Sequence, residues 1–188
     1  RFTNIIMEKL LVWKPAQPQC LNKMKYFILA IFLFTTNSIA ASMSMVGEKG
    51  DPNKVDRVIE IEMHDNYYYP TQINVKKGET IKFIVKNLGE LVHEYNIGTK
   101  EMHIKHQPEM AKLVEHEILL ADKIDHVKMK KMSKKDHSLG HSHANSVLLE
   151  PNKTGEIIWK FSKDISLEMA CNMPGHYEAG MVGKINIE

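Results

Sequence analysis

From residue 55 onward, apolar and charged positions trade places at short range. Val55, Val58, Ile59, Ile61 and Met63 are interleaved with Arg57, Glu60 and Glu62. That period-two pattern predicts a strand with one face in a core and the other in water. The same texture recurs at 72–75 and at 80–86, where Ile81, Phe83 and Val85 share one face. It recurs again at 92–97, 146–149, 156–161, 165–171 and 182–187. Tyr69-Pro70, Lys77-Gly78, Leu88-Gly89 and the Pro151–Gly155 stretch punctuate these segments as turns. Short strands separated by Gly and Pro turns predict an all-β protein, an antiparallel Greek-key β-sandwich.

Between residues 99 and 144 the pattern breaks. Lys, Glu, His and Met dominate and β-branched residues thin out. From Pro108 to Leu119 the apolar residues fall at helical spacing, so this insertion is partly helical. Residues 128–143 read as a solvated, disordered stretch, and residues 41–54 as a flexible leader to a domain spanning 55–188.

The N-terminal pattern is of another kind. Lys23 and Lys25 precede an apolar run from Tyr26 to Phe34, and small residues follow at Ser38, Ala40 and Ala41. This is the layout of a secretory signal peptide, residues 24–40, cleaved after Ala40. An uncleaved anchor is the alternative, but the run is well short of the roughly 20 residues that span a bilayer. Residues 1–23 read as an upstream extension before a start at Met24, with Met7 as an alternative start. The expected location is the periplasm, without stable membrane insertion after cleavage.

Export changes the charge balance. Residues 1–40 hold five of the 25 basic and one of the 23 acidic residues, so the exported part carries about −2 rather than +2. Nucleic-acid binding receives no support from such a balance. Export also isolates one thiol. The chain has two cysteines, Cys20 and Cys171, and only Cys171 lies beyond the signal peptide. A single cysteine in an oxidising compartment is a free reactive thiol or is otherwise occupied.

Occupation by a metal follows from its neighbours. Cys171, His176 and Met181 stand in the order Cys-x4-His-x4-Met, in a stretch kept irregular by Pro174, Gly175, Gly180 and Gly183. One thiolate, two imidazoles and a weak thioether form the ligand set of a blue-copper site. His93, at a loop-to-strand junction about eighty positions upstream, is the candidate for the second imidazole. His64 reads as a surface residue. Cys171 is flanked by Ala170 and Asn172, so the His-Cys-His bridge of a multicopper oxidase is absent.

The run Val75-Lys-Lys-Gly78-Glu79-Thr80-Ile-Lys-Phe83, then Asn87, His93 and Cys171-x4-His176-x4-Met181-Val-Gly183-Lys-Ile185, resembles the plastocyanin/azurin cupredoxin family. Among its members it looks most similar to bacterial plastocyanin-like copper-tolerance proteins. The resemblance covers residues 55–98 and 146–188 and implies one type 1 copper per chain and electron transfer. Two departures stand out. The family typically has Asn after the upstream histidine, bracing the loop beside the cysteine, where this chain has Glu94. Ordinary plastocyanins also lack the 99–144 insertion.

That insertion holds seven of the ten histidines. Met102, His103, His106, Met110, His137, His141 and His143 are candidates for a secondary copper-collecting arm. The plainer reading is a solvated, charged insertion whose histidines are incidental. The expected function is therefore an electron carrier, monomeric and not an enzyme, exchanging electrons with a transient protein partner across a small apolar face around His176. The alternative is periplasmic copper binding, sequestration or delivery in copper resistance.

Overall fold

The computed structural model describes residues 46–188. The segments expected to be an upstream extension, a signal peptide and the first part of the leader lie outside the described residues. Ten strands occur among those residues: β1 (Glu48–Lys49), β2 (Arg57–His64), β3 (Tyr67–Tyr69), β4 (Gln72–Val75), β5 (Thr80–Asn87), β6 (His93–Gly98), β7 (Ser146–Leu149), β8 (Thr154–Lys160), β9 (Leu167–Ala170) and β10 (Val182–Ile187). They form two five-stranded sheets, ordered β1-β8-β5-β2-β3 and β4-β10-β9-β6-β7. The two apolar faces meet in one core. Ile61, Met63, Phe83, Val85, Ile157 and Trp159 enter from the first sheet, and Ile73, Val75, Tyr95, Ile97, Met169 and Ile185 from the second.

The sandwich expected from the alternating pattern is present, with one refinement. Most neighbouring strands are antiparallel, but β2 pairs with β5 and β4 with β10 in parallel. The sheets are therefore mixed. Period-two patterning reports which face is buried and is silent on strand direction.

The leader is more ordered than its composition suggests. Glu48 and Lys49 pair with Lys160 and Trp159 at the sheet edge, and Val46 is fully buried. One buried valine and two ladder positions outweigh a polar stretch that periodicity leaves unassigned.

The segment between β6 and β7 is built onto the sandwich. Helix α1 (Lys100–Glu115) starts eight residues before the expected Pro108, because the Thr99 hydroxyl caps it by accepting from the Met102 amide. Pro108 sits inside the helix. A second helix, α2 (His126–Ser133), and a 3-10 turn (His137–Leu139) occupy the stretch expected to be disordered. Met110, Leu113, Ile118, Leu119, Ile124 and Leu139 all join the core. These isolated apolar residues anchor an otherwise charged segment. The segment covers the outer face of β6, whose six residues are all buried. Among the described residues no helix is long and apolar enough to cross a membrane.

Candidate metal centre

Three neighbouring strands deliver the residues of the Cys171 loop and its upstream partner. β6 and β9 are antiparallel, with Asn96 opposite Ala170, and β9 and β10 form a hairpin in which Ala170 faces Val182. Residues 171–181 are thus the hairpin loop. It lies at the same end of the sheet as His93, the first residue of β6. Cys171 N donates to the Met181 carbonyl at 3.2 Å, closing the base of the loop, and Met181 N donates to the His176 carbonyl at 3.0 Å. Gly180, with φ of 95°, makes the turn back into β10 that an L side chain would strain.

His93 Nδ1 lies 3.2 Å from His176 Nδ1, and Cys171 Sγ lies 3.4 Å from His176 Nδ1 and 4.0 Å from His93 Nδ1. Imidazole nitrogens about 2.0 Å and a thiolate about 2.3 Å from one shared metal ion would stand roughly 3.5–3.7 Å from one another. The three observed separations, 3.2, 3.4 and 4.0 Å, bracket that spacing, so the donor set fits one soft-to-borderline metal ion with small side-chain adjustments. Met181 is fully buried at the end of the same loop.

Protonation in the metal-free protein follows from burial. Burial pushes the Cys171 thiol up to about 12, even though the Glu94 amide donates to its sulfur at 3.3 Å. Burial also lowers His93, against the opposing hydrogen bond and charge of Asp65, and lowers His176, with a further contribution from His93. The resting site is a neutral thiol between neutral imidazoles, and metal binding must displace the thiol proton.

The groups that hold these ligands were not apparent from the sequence. His93 Nε2 donates to Asp65 Oδ1 at 2.9 Å, which leaves Nδ1 free to face the loop. Asp65 also accepts from the Glu90 and Leu91 amides at 3.1 and 3.2 Å. Asn87 fastens the other end of this turn, donating to the Leu91 and Leu149 carbonyls at 2.8 and 2.9 Å. At Gly89 any side chain would collide with the Asp65 carboxylate and crowd His93 Nε2. Asp65 carries no spacing signal, because the turn that brings it to His93 joins strands β2 and β3 of the opposite sheet.

Glu94 resolves the first departure from the family pattern. Its Oε2 accepts from Asn172 N at 3.2 Å and from Asn172 Nδ2 at 2.8 Å. The carboxylate therefore braces the residue after the cysteine, the bracing that the resemblance implies for Asn at this position. Burial alone would raise its pKa; hydrogen bonds and charge from His106 and His141 outweigh this and hold it well below the usual carboxylate range.

The remaining candidates separate into two groups. His106, His141 and His143 come together beside Glu94. His103 does not join them. It is buried against the metal loop, where Asn172 Nδ2 meets its Nδ1 at 3.2 Å and its Nε2 faces the Glu168 carbonyl at 3.5 Å. Met110 is fully buried in the core, Met102 packs against that core, and His137 lies exposed in the 3-10 turn. These four are spent on packing or left in solvent, and of the seven candidates only His106, His141 and His143 come together. His64 is a half-buried surface residue, stacked on Tyr67 and bonded to Glu62.

His176 is half-buried, in a cleft walled by Leu91, Val114, Leu119, Leu120 and Pro174. Of the small residues expected to form an open face around it, Pro174, Gly175, Ala179 and Gly180 are exposed. Tyr177 is half-buried, its hydroxyl donating to Glu168 at 2.6 Å. The insertion thus supplies part of the wall around the loop.

Comparison with known proteins points the same way. A family model described as a cupredoxin-like domain matches residues 26–123, over half of the chain. That span contains His93 and stops short of the Cys171 loop. The chain is 41% identical over 148 residues to the copper-resistant cuproprotein CopI of Pseudomonas aeruginosa, covering 76% of this chain and 82% of that protein. It is 32% identical over 140 residues to CopI of Rubrivivax gelatinosus, covering 74% and 71%. Among solved structures, reduced auracyanin from Roseiflexus castenholzii superposes with a TM-score of 0.52 at 20% identity, covering 71% of this chain and 98% of that one. Auracyanin B superposes with a TM-score of 0.54 at 12% identity, covering 76% and 96%. Both share the fold. With two sheets holding a thiol and two imidazoles at metal spacing, the chain belongs to the cupredoxin-like family and is a copper-binding protein.

Proposed function

We propose that this protein is exported and contributes to copper resistance by holding one copper ion between His93, Cys171 and His176, with the Met181 thioether as a weak fourth ligand. The observation that carries the reading is the convergence of a buried thiol and two Nδ1 atoms, 3.2–4.0 Å apart, in a chain 41% identical to a copper-resistant cuproprotein. When bound there, copper supplies an intense thiolate absorption and a one-electron redox change. The chain's own residues do the rest. Asp65 sets the tautomer of His93, Glu94 and Asn172 hold the cysteine end of the loop, and the sandwich keeps water from the thiol. The apolar run and small residues at 24–40 support export to the periplasm.

A copper-sensitive strain lacking the protein tests the reading. The unaltered protein should restore growth on copper and should absorb strongly in the visible when loaded with Cu(II). Cys171→Ser should do neither. Wild-type rescue by Cys171→Ser, or retention of its visible band, would overturn the assignment. Cell fractionation should recover the protein in the periplasm.

A second reading is electron transfer with a transient protein partner, through a small interface. Half-buried His176 beside exposed Pro174, Gly175, Ala179 and Gly180 favours it, because one ligand then lies near the surface. Electron-exchange rates left unchanged by Ala179→Lys would count against that role.

A further inference from the structure

We propose that His106, His141 and His143, together with the Glu94 carboxylate, form a second copper site, separate from the Cys171 centre and joined to it through Glu94. The three imidazoles come from different places: the middle of α1 and the segment between the 3-10 turn and β7. Their ring centroids lie 5.6 Å (His106–His141), 5.1 Å (His106–His143) and 5.1 Å (His141–His143) apart. One ligand nitrogen from each ring falls within 4.8 Å of the others.

A carboxylate completes the set. Glu94 Oε1 sits 2.7 Å from His141 Nε2 and 3.2 Å from His106 Nε2, and the Glu94 side chain is fully buried. A buried carboxylate needs one good cationic partner; it does not call for three imidazoles packed edge to edge. Among the described residues His143 has no side-chain hydrogen bond, yet it closes the triangle with its ring nearly perpendicular to both neighbours. Three nitrogens and an oxygen without sulfur suit Cu(II), and copper outranks zinc at such a site. The His106 and His141 side chains are only 12% and 5% exposed, and a pocket lined by His126, Met129, His141 and His143 gives an ion its way in.

Strand alternation explains the placement. His93 and Glu94 are consecutive in β6, so their side chains point to opposite faces of the sheet. His93 turns toward the Cys171 loop and Glu94 toward the insertion. The Glu94 amide donates to Cys171 Sγ, and its Oε2 holds Asn172. One residue therefore touches both centres.

The full exported chain, loaded with Cu(II) and desalted, should hold two coppers by metal analysis, one of them without the visible thiolate band. His141→Ala/His143→Ala should hold one copper with the band intact. Cys171→Ser should hold one copper without the band, and the triple variant none. His143→Gln removes one ligand while filling most of its space; it should weaken the second copper by more than about tenfold, the cost typical of disturbing even an outer partner. The proposal is overturned if the unaltered chain holds one copper, if the double variant still holds two, or if equimolar zinc displaces the second ion. Copper retained by Cys171→Ser reports on this site whether or not the Cys171 reading holds.

Discussion

Removing the Asp65 carboxylate isolates the one interaction that orients His93. In Asp65→Ala, the His93 Nε2–H is left in a position with no exposed side-chain surface, facing the space the carboxylate filled. An unsatisfied buried donor costs about 1–3 kcal/mol. The Asp65 side chain is itself 38% exposed, so water can enter from its side and the lower half of that range, about 1–2 kcal/mol, is expected. The Glu90 and Leu91 amides lose an acceptor too, but both residues lie at the surface of the turn. Copper should bind about 10–100-fold more weakly, because His93 loses its fixed tautomer. Asp65→Asn keeps an oxygen acceptor but loses the charge, so it should fall between wild type and Asp65→Ala. Urea unfolding of the metal-free protein measures the first effect, and competition against a chelator of known affinity the second. The visible band should persist in both variants, since no proposed copper ligand is touched. An Asp65→Ala affinity within twofold of wild type, with unchanged unfolding, would refute the claim that this carboxylate positions His93.

Three further outcomes are expected. Leu113→Ala should lower stability by about 2–5 kcal/mol in urea unfolding, because Leu113 is only 1% exposed beneath the insertion; a change under about 0.5 kcal/mol would mean that α1 is not part of the core. Asp136 accepts from Lys112 Nζ at 2.6 Å and from the Ser138 amide and hydroxyl, and these bonds lower its pKa from 3.8 to about 2. A depressed carboxylate stabilises above its unfolded value, so its contribution is complete above about pH 4 and lost as pH falls through about 2. The difference in unfolding midpoint between wild type and Asp136→Asn should therefore shrink over that range, and a constant difference would sink the argument. Deleting residues 46–50 should lower the midpoint through loss of Val46 packing and the β1 ladder, with the copper band unchanged, as visible titration and thermal unfolding would show.

The fold was readable because its signal is local. Alternation at 55–63, 80–86 and 156–161 marks a half-buried strand whatever its partner. Cys171, His176 and Met181 were readable as a candidate donor set for a related reason: a loop that could bring donors to one ion keeps them close in sequence. His93 could be singled out as the candidate partner once that loop was recognised, and the fold does bring it to Cys171 and His176. Parallel pairing of β2 with β5, the ordering of 126–139 and the docking of Val46 were not readable. Each depends on contacts between residues far apart in the chain, and a few buried apolar side chains decide them against a polar background.

Asp65 and the second histidine cluster belong to the same class. Asp65 reaches His93 across 28 positions, and Glu94 reaches His141 across 47. Composition marks residues 99–144 as rich in histidine without telling His106, His141 and His143 from buried His103 or exposed His137. The sequence by itself determined a β-sandwich, a thiol-imidazole loop and a histidine-rich insertion, because spacing along the chain encodes each. Tertiary structure alone decided that Glu94 stands between the loop and the insertion. Its side chain points away from the face of His93, and only folding of the insertion onto that face brings the histidines to it.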